Sequence, residues 1–332
     1  MILTQRIDHL VRLGEYIQSN DIGWQMAKEK ACQENGWFIP EFVNLAAQNI
    51  ARNYLERAAL ERWVQQYDIA PAMNRARTVG IVMAGNIPMV GFHDFISVFV
   101  AGHRALIKPS ARDEALIKHM VGLLSAWDSR IPELMAFSDV LKKCDAYIAT
   151  GSNNTSRYFE YYFGRYRHII RRNKTSVAIL MGTETEKDLG KLADDVYQFF
   201  GLGCRNVTKL YVPRDYNFQP LLQAFEKYNY LVDHHKYKNN YDYNLALNIL
   251  NNRFYMTNGS LLVVEDRAVF SPISQLNFEY YTDRSLLISS LEGNEDIQCI
   301  VGLDKLPFGK AQSPGLFDYA DKVDTMLFLR TL

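Results

Sequence analysis

The chain has 332 residues, of which 48% are hydrophobic and 22% charged, and its formal net charge is +0 at pH 7. An apolar content of this size supports two domains with separate cores. Balanced charge provides no global field for DNA, RNA or an anionic membrane, so no nucleic-acid partner is expected. No run of roughly 18 apolar residues occurs, so no membrane span is expected either.

The four cysteines lie far apart, and no two of them form a C-x-x-C pair. Zinc ribbons and disulfide frameworks need closer spacing, so no metal site is predicted. Reduced thiols and the lack of a secretory apolar core near residue 1 favour a cytoplasmic location. The neighbours His234 and His235 would point about 100° apart on a helix, and we expect them at the surface.

Alternating helix and strand patterns predict an α/β fold. Residues 1–75 have apolar positions at three- and four-residue spacing, which predicts a cap of helices only. Strands are predicted at 78–83, 104–107, 145–150, 168–171 and 177–181, and helices at 89–100, 113–127 and 154–163. This order predicts a doubly wound, Rossmann-like sheet that binds ligands at the carboxyl ends of its strands. Three of those ends carry Asn86, Lys108 and the pair Gly151-Ser152.

A second domain is predicted from residue 182. An amphipathic helix precedes Cys204, strands follow at 207–212 and 261–265, and helices at 218–232 and 241–250. Residues 324–331 alternate well enough to predict a terminal strand. The predicted domains are therefore a cap (1–75), a cofactor domain (76–181), a catalytic domain (182–318) and a tail (319–332). A basic cluster is expected to be a solvated edge; its members are Arg165, Arg167, Arg171, Arg172 and Lys174.

Cys204 is the strongest candidate for chemistry. It follows Gly201-Leu202-Gly203 and directly precedes a strand-like run. Glycines remove side-chain obstacles, so a substrate carbonyl can approach a thiol held there. Thiolates are strong nucleophiles toward acyl groups. The alternative is a small buried hydrophobe, the ordinary role of a cysteine.

Six short motifs in a fixed order carry a resemblance to a known family. They are Gly85-Asn86-Ile87-Pro88, Leu106-Ile107-Lys108-Pro109-Ser110, Ala149-Thr150-Gly151-Ser152, Gly203-Cys204, Val269-Phe270-Ser271-Pro272 and Pro307-Phe308-Gly309-Lys310-Ala311-Gln312-Ser313. From about residue 78 onward, this order resembles the aldehyde dehydrogenase superfamily. The closer resemblance is to the LuxC-type acyl-CoA reductases.

The resemblance implies a role for each candidate residue. Cys204 would accept the acyl group, and Asn86 would donate its amide to the oxyanion together with the Cys204 backbone N–H. Lys108 would hold the adenosine ribose, Gly151 and Ser152 the pyrophosphate, and Phe270 would pack near the nicotinamide. Each has a plainer alternative: a turn residue, a strand end, a helix start or a core aromatic.

Departures from the family pattern refine the expected reaction. The hydrolytic enzymes have a glutamate base, but the corresponding stretch 176–182 contains no acid. Water attack on an acyl-cysteine should then be slow, since such a base contributes roughly 10²–10⁴-fold. This favours transfer of the acyl group to a thiol, or its reduction by a nicotinamide cofactor.

Three further positions bear on the cofactor. Ala268 stands where the family usually has a glutamate, and Ser156 replaces the second glycine of the phosphate turn. Both leave a non-catalytic acyl-binding relative open. No acid follows Lys108-Pro109 at Ser110-Ala111-Arg112, which favours NADPH over NADH because nothing there would repel a 2′-phosphate.

The sequence therefore predicts NADPH-dependent reduction of an acyl-CoA or carrier-bound fatty acyl thioester to the aldehyde. The rival enzymes are a CoA-acylating short-chain aldehyde dehydrogenase and an acyl phosphate reductase. A homodimer is also expected, because an apolar terminal strand is an open edge that a second subunit would cover.

Overall fold

The computed structural model describes residues 1–71 and 75–332, and these form two compact units. The first unit is Met1–Asn173 with Pro314–Leu332, and the second is Lys174–Ser313. The part of the predicted helical cap at 72–74 lies outside the described residues.

The first unit contains thirteen elements before residue 174 in the described part of the chain. They are α1 (Leu3–Gln18), α2 (Ile22–Glu34), α3 (Pro40–Tyr54), α4 (Arg57–Gln66), β1 (Thr78–Val82), α5 (Phe92–Ala101), β2 (Arg104–Lys108), α6 (Ala115–Trp127), α7 (Ile131–Leu134), β3 (Met135–Phe137), β4 (Ala146–Thr150), α8 (Asn153–Phe163) and β5 (Arg167–Arg171).

The second unit and the tail complete the chain. The second unit has β6 (Thr175–Ile179), α9 (Glu186–Tyr197), β7 (Val207–Pro213), α10 (Gln219–Phe225), α11 (His235–Leu250), β8 (Tyr255–Thr257), β9 (Leu262–Glu265), β10 (Gln275–Tyr281), α12 (Arg284–Glu292) and β11 (Ile297–Val301). The tail adds α13 (Thr325–Arg330) to the first unit.

A five-stranded parallel sheet is the centre of the first unit. Its strand order is β3-β2-β1-β4-β5, so the order reverses between β1 and β4. Both neighbours pair with the middle of β1, since Gly80 lies opposite Leu106 and Tyr147. Helix α5 follows β1 and is buried along most of its length. It ends at Gly102, whose φ of 87° is the left-handed cap expected from the sequence.

The predicted terminal strand is wrong, because residues 325–330 form a helix. Asp324 caps α13 by accepting a 2.8 Å hydrogen bond from the Leu327 N–H. Met326 and Leu329 are buried, three residues apart, which is the spacing of one helix face. The segment is therefore not an open strand edge, and the argument for a homodimer through such a strand has no basis in this fold.

Arg171 is likewise not part of a solvated edge. It is 4% exposed, forms an ion pair with Asp94, and donates to Thr325 Oγ1 at 2.9 Å. The basic cluster expected at the surface therefore includes one residue that anchors α13 inside the first unit. A buried charge of this kind is tolerated because it has both an opposite charge and a hydrogen bond.

A six-stranded sheet is the centre of the second unit, with the order β11-β6-β7-β10-β9-β8. All neighbours are parallel except β8, which is antiparallel to β9. The strand predicted at 177–181 was assigned to the cofactor domain, but β6 pairs with β7 and β11. That assignment, and the boundary at 181/182, is corrected to the division after Asn173.

No helix in the described residues is long and apolar enough to cross a lipid bilayer.

Candidate active site

Cys204 lies in a strained turn between α9 and β7. Phe199, Phe200 and Gly201 have φ of 55°, 57° and 74°, so three consecutive residues adopt the left-handed conformation. Non-glycine residues pay about 1–2 kcal/mol each for this conformation. This turn leads from α9 into β7, and Cys204 lies half-buried just before the amino end of β7.

Asn206 holds this turn in place. Its side chain is fully buried, and its Oδ1 accepts a 2.8 Å hydrogen bond from the Gly203 N–H. Its Nδ2 donates to Gln198 O at 2.8 Å and Asp195 O at 3.1 Å, which are carbonyls at the end of α9. One amide side chain thus satisfies backbone groups on both sides of the strained residues. Asn206 was not predicted as a site residue, because the sequence shows it only as a polar residue next to a strand.

Ser176 links the Cys204 turn to a second cysteine. The Ser176 hydroxyl lies 3.2 Å from Cys204 O and 2.9 Å from Cys299 Sγ, and it accepts the Cys299 N–H at 3.2 Å. Burial raises the pKa of the Cys32 and Cys144 thiols in the first unit. A raised pKa lowers the thiolate fraction, which disfavours these two residues as nucleophiles.

The loop that carries Phe270 adjoins the Cys204 turn. Phe270 is half-buried between β9 and β10. The Thr208 hydroxyl donates to Val269 O at 2.7 Å and lies 2.6 Å from the Thr175 hydroxyl, which lies 3.2 Å from Asn206 O. Two threonines therefore connect the two loops. The structure brings Cys204 and Phe270, both predicted as site residues, to neighbouring loops of one unit.

Asp195 anchors the last predicted motif, residues 307–313, to α9. Its carboxylate accepts the N–H groups of Gly309 at 2.6 Å and Ala311 at 2.9 Å. Burial raises the pKa of Asp195 to about 7, although both hydrogen bonds oppose the shift. Gly309 has a φ of 77°, and an added Cβ would lie 3.1 Å from Lys191 Cβ, so a glycine is required at this close approach.

The other candidate residues lie at one edge of the first unit's sheet. Asn86 is exposed in the turn after β1, and Lys108 is the exposed last residue of β2. Gly151 and Ser152 follow β4, where the Ser152 hydroxyl caps α8 by accepting the Thr155 N–H at 3.3 Å. Because β1 lies between β2 and β4, these ends are neighbours at the point where strand order reverses.

Two buried polar side chains hold the loops after β1 and β2 together. Asn35 Nδ2 donates to Gly85 O at 3.4 Å and to Arg112 O at 3.0 Å. Asp113 Oδ2 accepts the N–H of Met89, whose φ of 57° is left-handed, at 2.6 Å. Burial raises the pKa of Asp113 well above its ordinary value. The Asn86 turn and the Lys108 turn therefore form one rigid edge.

Cationic and hydroxyl side chains lie at this edge of the sheet. Lys108 and Arg112 are exposed cations. Ser110 packs closely against Gly85, since a Cβ added at Gly85 would lie 2.5 Å from the Ser110 hydroxyl. The adjacent acid, Asp113, is buried and bonded to Met89, so it is not directed at a ribose. The first turn of α8 adds backbone N–H groups of the kind that bind phosphate.

Comparison with known proteins identifies the fold. No family model matches the chain, and no curated protein matches its sequence. Among solved structures, an oxidoreductase from Marinobacter aquaeolei is similar with a TM-score of 0.66 at 9% identity, over 91% of this chain and 73% of that one. Aldehyde dehydrogenase 21 from Physcomitrella patens, in complex with succinate, has a TM-score of 0.65 at 12% identity, over 92% and 74%.

A third similar structure contains a cofactor and a substrate. It is a mutant of aldehyde dehydrogenase C from Pseudomonas syringae, in complex with NAD+ and octanal, with a TM-score of 0.64 at 10% identity, over 91% and 72%. Identities this low establish the fold alone. The chain has the aldehyde dehydrogenase fold, which confirms the predicted α/β architecture.

Proposed function

We propose that this protein reduces a fatty acyl thioester, carried by CoA or an acyl carrier, to the aldehyde with NADPH. The observation that carries the proposal is the Cys204 turn, which Asn206 locks between α9 and β7 beside the Phe270 loop. A protein of the same fold binds octanal together with NAD+, which supports an aliphatic aldehyde product.

The reaction begins at Cys204. Its thiolate attacks the thioester carbonyl, a new C–S bond forms, and the carrier thiolate leaves. The family resemblance implies that the Cys204 backbone N–H and the Asn86 side-chain amide would donate to the oxyanion. Donors fixed in advance stabilise developing charge without reorganisation at the moment of reaction.

The acyl-enzyme then has to be protected from water. The stretch 176–182 contains no acid, and Ser176 at its start donates toward Cys204 O instead of activating water. Without a positioned base, hydrolysis of the thioester is slow. NADPH, when bound, supplies the hydride that reduces the thioester. Cys204 then departs as the thiolate and the aldehyde is released.

The cofactor preference follows from the edge of the first unit. Lys108, Ser110 and Arg112 would hold the adenosine ribose and its 2′-phosphate, while Gly151 and Ser152 at the start of α8 would hold the pyrophosphate. Two exposed cations without an acid directed at the ribose favour NADPH over NADH. Phe270 would pack against the nicotinamide.

Intact mass spectrometry tests the proposal. The wild type and Cys204→Ala are exposed to acyl-CoAs of several chain lengths, with and without NADPH. We expect a wild-type adduct without NADPH that disappears as aldehyde when NADPH is added, and no adduct on Cys204→Ala. Cys299→Ala, the neighbouring thiol, should still form the adduct. A stable adduct on another cysteine would contradict the assignment.

The same experiment separates the alternatives. Preference for short chains or for an acyl phosphate would indicate the rival enzymes. An adduct without any NADPH or NADH binding would indicate an acyl-binding scaffold, which the exposed Ala268 and the buried Ser156 leave open. The cytoplasmic location and the homodimer stay predictions, and light scattering of the full chain tests the dimer.

A further inference from the structure

Five consecutive backbone carbonyls of the Phe270 loop accept hydrogen bonds from side chains of β7 and β10. Lys209 Nζ donates to Asp266 O at 3.0 Å and to Arg267 O at 2.8 Å. Asn277 Nδ2 donates to Ala268 O at 3.0 Å and to Phe270 O at 3.1 Å. Thr208 Oγ1 donates to Val269 O at 2.7 Å. The whole segment 266–270 is thus fixed from the sheet below it.

Lys209 is unusual because a lysine is rarely fully buried. Its exposure is 0%, and its ammonium also donates to Glu279 Oε2 at 2.6 Å. An ammonium has three N–H donors, and these three acceptors use all of them. Taking such a charge out of water is costly unless it is fully paired. An apolar side chain at this position would support strand pairing equally well. The role of the lysine is therefore to hold the backbone of the 266–270 loop.

Asn277 and Thr208 are directed at the same loop. Asn277 is 1% exposed, and its Oδ1 accepts from Gln275 Nε2 at 2.9 Å, so its amide is oriented before it reaches the loop. Thr208 gives its single hydroxyl proton to Val269 O, so its oxygen accepts at the 2.6 Å contact with Thr175. Thr175 then gives its own proton to Thr208, so the loop is tied to β6, where the neighbouring Ser176 N–H donates to Asn206 O at 3.0 Å.

We propose that Lys209, Asn277 and Thr208 are positioning residues that fix the backbone of 266–270, and so set where Phe270 stands relative to Cys204. The inference rests on the proposed function. Ala268 offers no polar side chain to a bound cofactor, and the proposed function assigns the cofactor contact of this loop to Phe270. Backbone position therefore decides how well the cofactor and the acyl-cysteine are aligned.

The test uses the full chain and the variants Lys209→Met, Asn277→Ala and Thr208→Val, with Thr208→Ser as the conservative partner that keeps the hydroxyl. Three quantities are measured: acyl adduct formation without NADPH, aldehyde formation from the adduct with NADPH, and hydrogen exchange of the 266–270 amides in the protein alone. We expect faster exchange and aldehyde formation slowed about 10²-fold in Lys209→Met, since small misplacements cost this much.

Adduct formation should change little in Asn277→Ala, whose contacts are confined to this loop and Gln275. Thr208→Ser should restore the exchange protection that Thr208→Val loses. If Lys209→Met does not fold, the inference is tested with Asn277→Ala and with the comparison of Thr208→Val and Thr208→Ser. Equal losses of adduct and aldehyde formation would mean general destabilisation, and unchanged exchange and rates would also overturn the inference. A wild type without adduct would instead overturn the proposed function.

Discussion

The two units hold their candidate residues in different ways. In the second unit, buried side chains fix the backbone around Cys204 and Phe270: Asn206 alone contacts both sides of the strained turn. In the first unit, Asn86 and Lys108 are exposed, and Asn35 and Asp113 fix only the loops that carry them. Covalent chemistry needs a fixed nucleophile, whereas a dissociating cofactor needs accessible side chains on a firm edge. The proposed function predicts this difference between the two units.

The largest effect is expected when the Asn206 contacts that hold the Cys204 turn are lost. Asn206→Asp keeps the acceptor for Gly203 but loses both N–H donors, and it places a carboxylate against the carbonyls of Asp195 and Gln198. We expect a loss of about 3 kcal/mol in unfolding free energy, from unsatisfied buried groups and a buried charge. Acyl adduct formation should fall in the protein that remains folded. Denaturant titration and intact mass measure the two effects.

Asn251→Asp is the matched control. Asn251 is exposed at the end of α11, where its amide donates to Leu247 O at 2.8 Å and water can solvate a new charge. We expect a change within about 0.5 kcal/mol, the usual range for surface substitutions. Equal destabilisation by the two substitutions would show that Asn206 has no special part in holding the turn.

Strand β1 was predictable from the sequence, whereas strand β10 was not. The strand predicted at 78–83 is apolar on both faces and corresponds to β1. Strand β10 was missed because Asn277 and Glu279 interrupt its apolar pattern, and both serve the 266–270 loop. The tail was predicted as a strand because Met326 and Phe328 alternate, although Asp324 was available as a helix cap.

The candidate site was predictable only for residues that stand in recognisable motifs. Cys204 and Phe270 stand in recognisable motifs, and the structure places them on adjoining loops. Asn206 and Asp195 act on backbone N–H and C=O groups far along the chain, and such contacts leave no local pattern of composition or spacing. They become visible only when the fold shows which carbonyls and amides they reach.

Substitution of Asn86 tests the first unit, where the candidate side chains are exposed. Because its side chain is exposed and its loop is fixed through Gly85 and Met89, Asn86→Ala should leave the unfolding midpoint unchanged. Loss of one oxyanion donor should lower the rate of acyl adduct formation about 10²-fold. Rapid-quench mass spectrometry and thermal unfolding measure the two quantities. An unchanged rate in well-folded protein would make Asn86 a turn residue only.

A smaller effect is expected at Arg112. Its removal in Arg112→Ala should weaken NADPH binding by about tenfold or more and leave NADH binding unchanged, since one hydrogen bond to a charged group contributes about 1.5–3 kcal/mol. Arg104→Ala, at the opposite end of β2, is the control for general charge loss. Fluorescence titration with both cofactors measures the ratio. Equal weakening of the two cofactors would remove the basis for NADPH preference.

The last test concerns pH and α9, which holds both the Cys204 turn and the 307–313 loop. Burial raises the pKa of Asp195 from 3.8 to about 7, so between these values the folded protein binds a proton that the unfolded chain has lost. This contribution is fully present below pH 3.8, and stability falls as pH rises toward 7. Asp195→Asn should remove that slope from the unfolding free energy measured by denaturant titration.

Asp188 on the same helix provides a control of opposite sign. The hydrogen bond from the Thr185 hydroxyl lowers the pKa of the Asp188 carboxyl below 3.8. Its contribution is therefore complete above that pH and is lost only in stronger acid. Between pH 5 and 7, Asp188→Asn should differ from the wild type by a constant amount, while the Asp195→Asn difference changes. Parallel curves for both variants would mean that Asp195 is already ionised at pH 5 and holds its loop as a carboxylate.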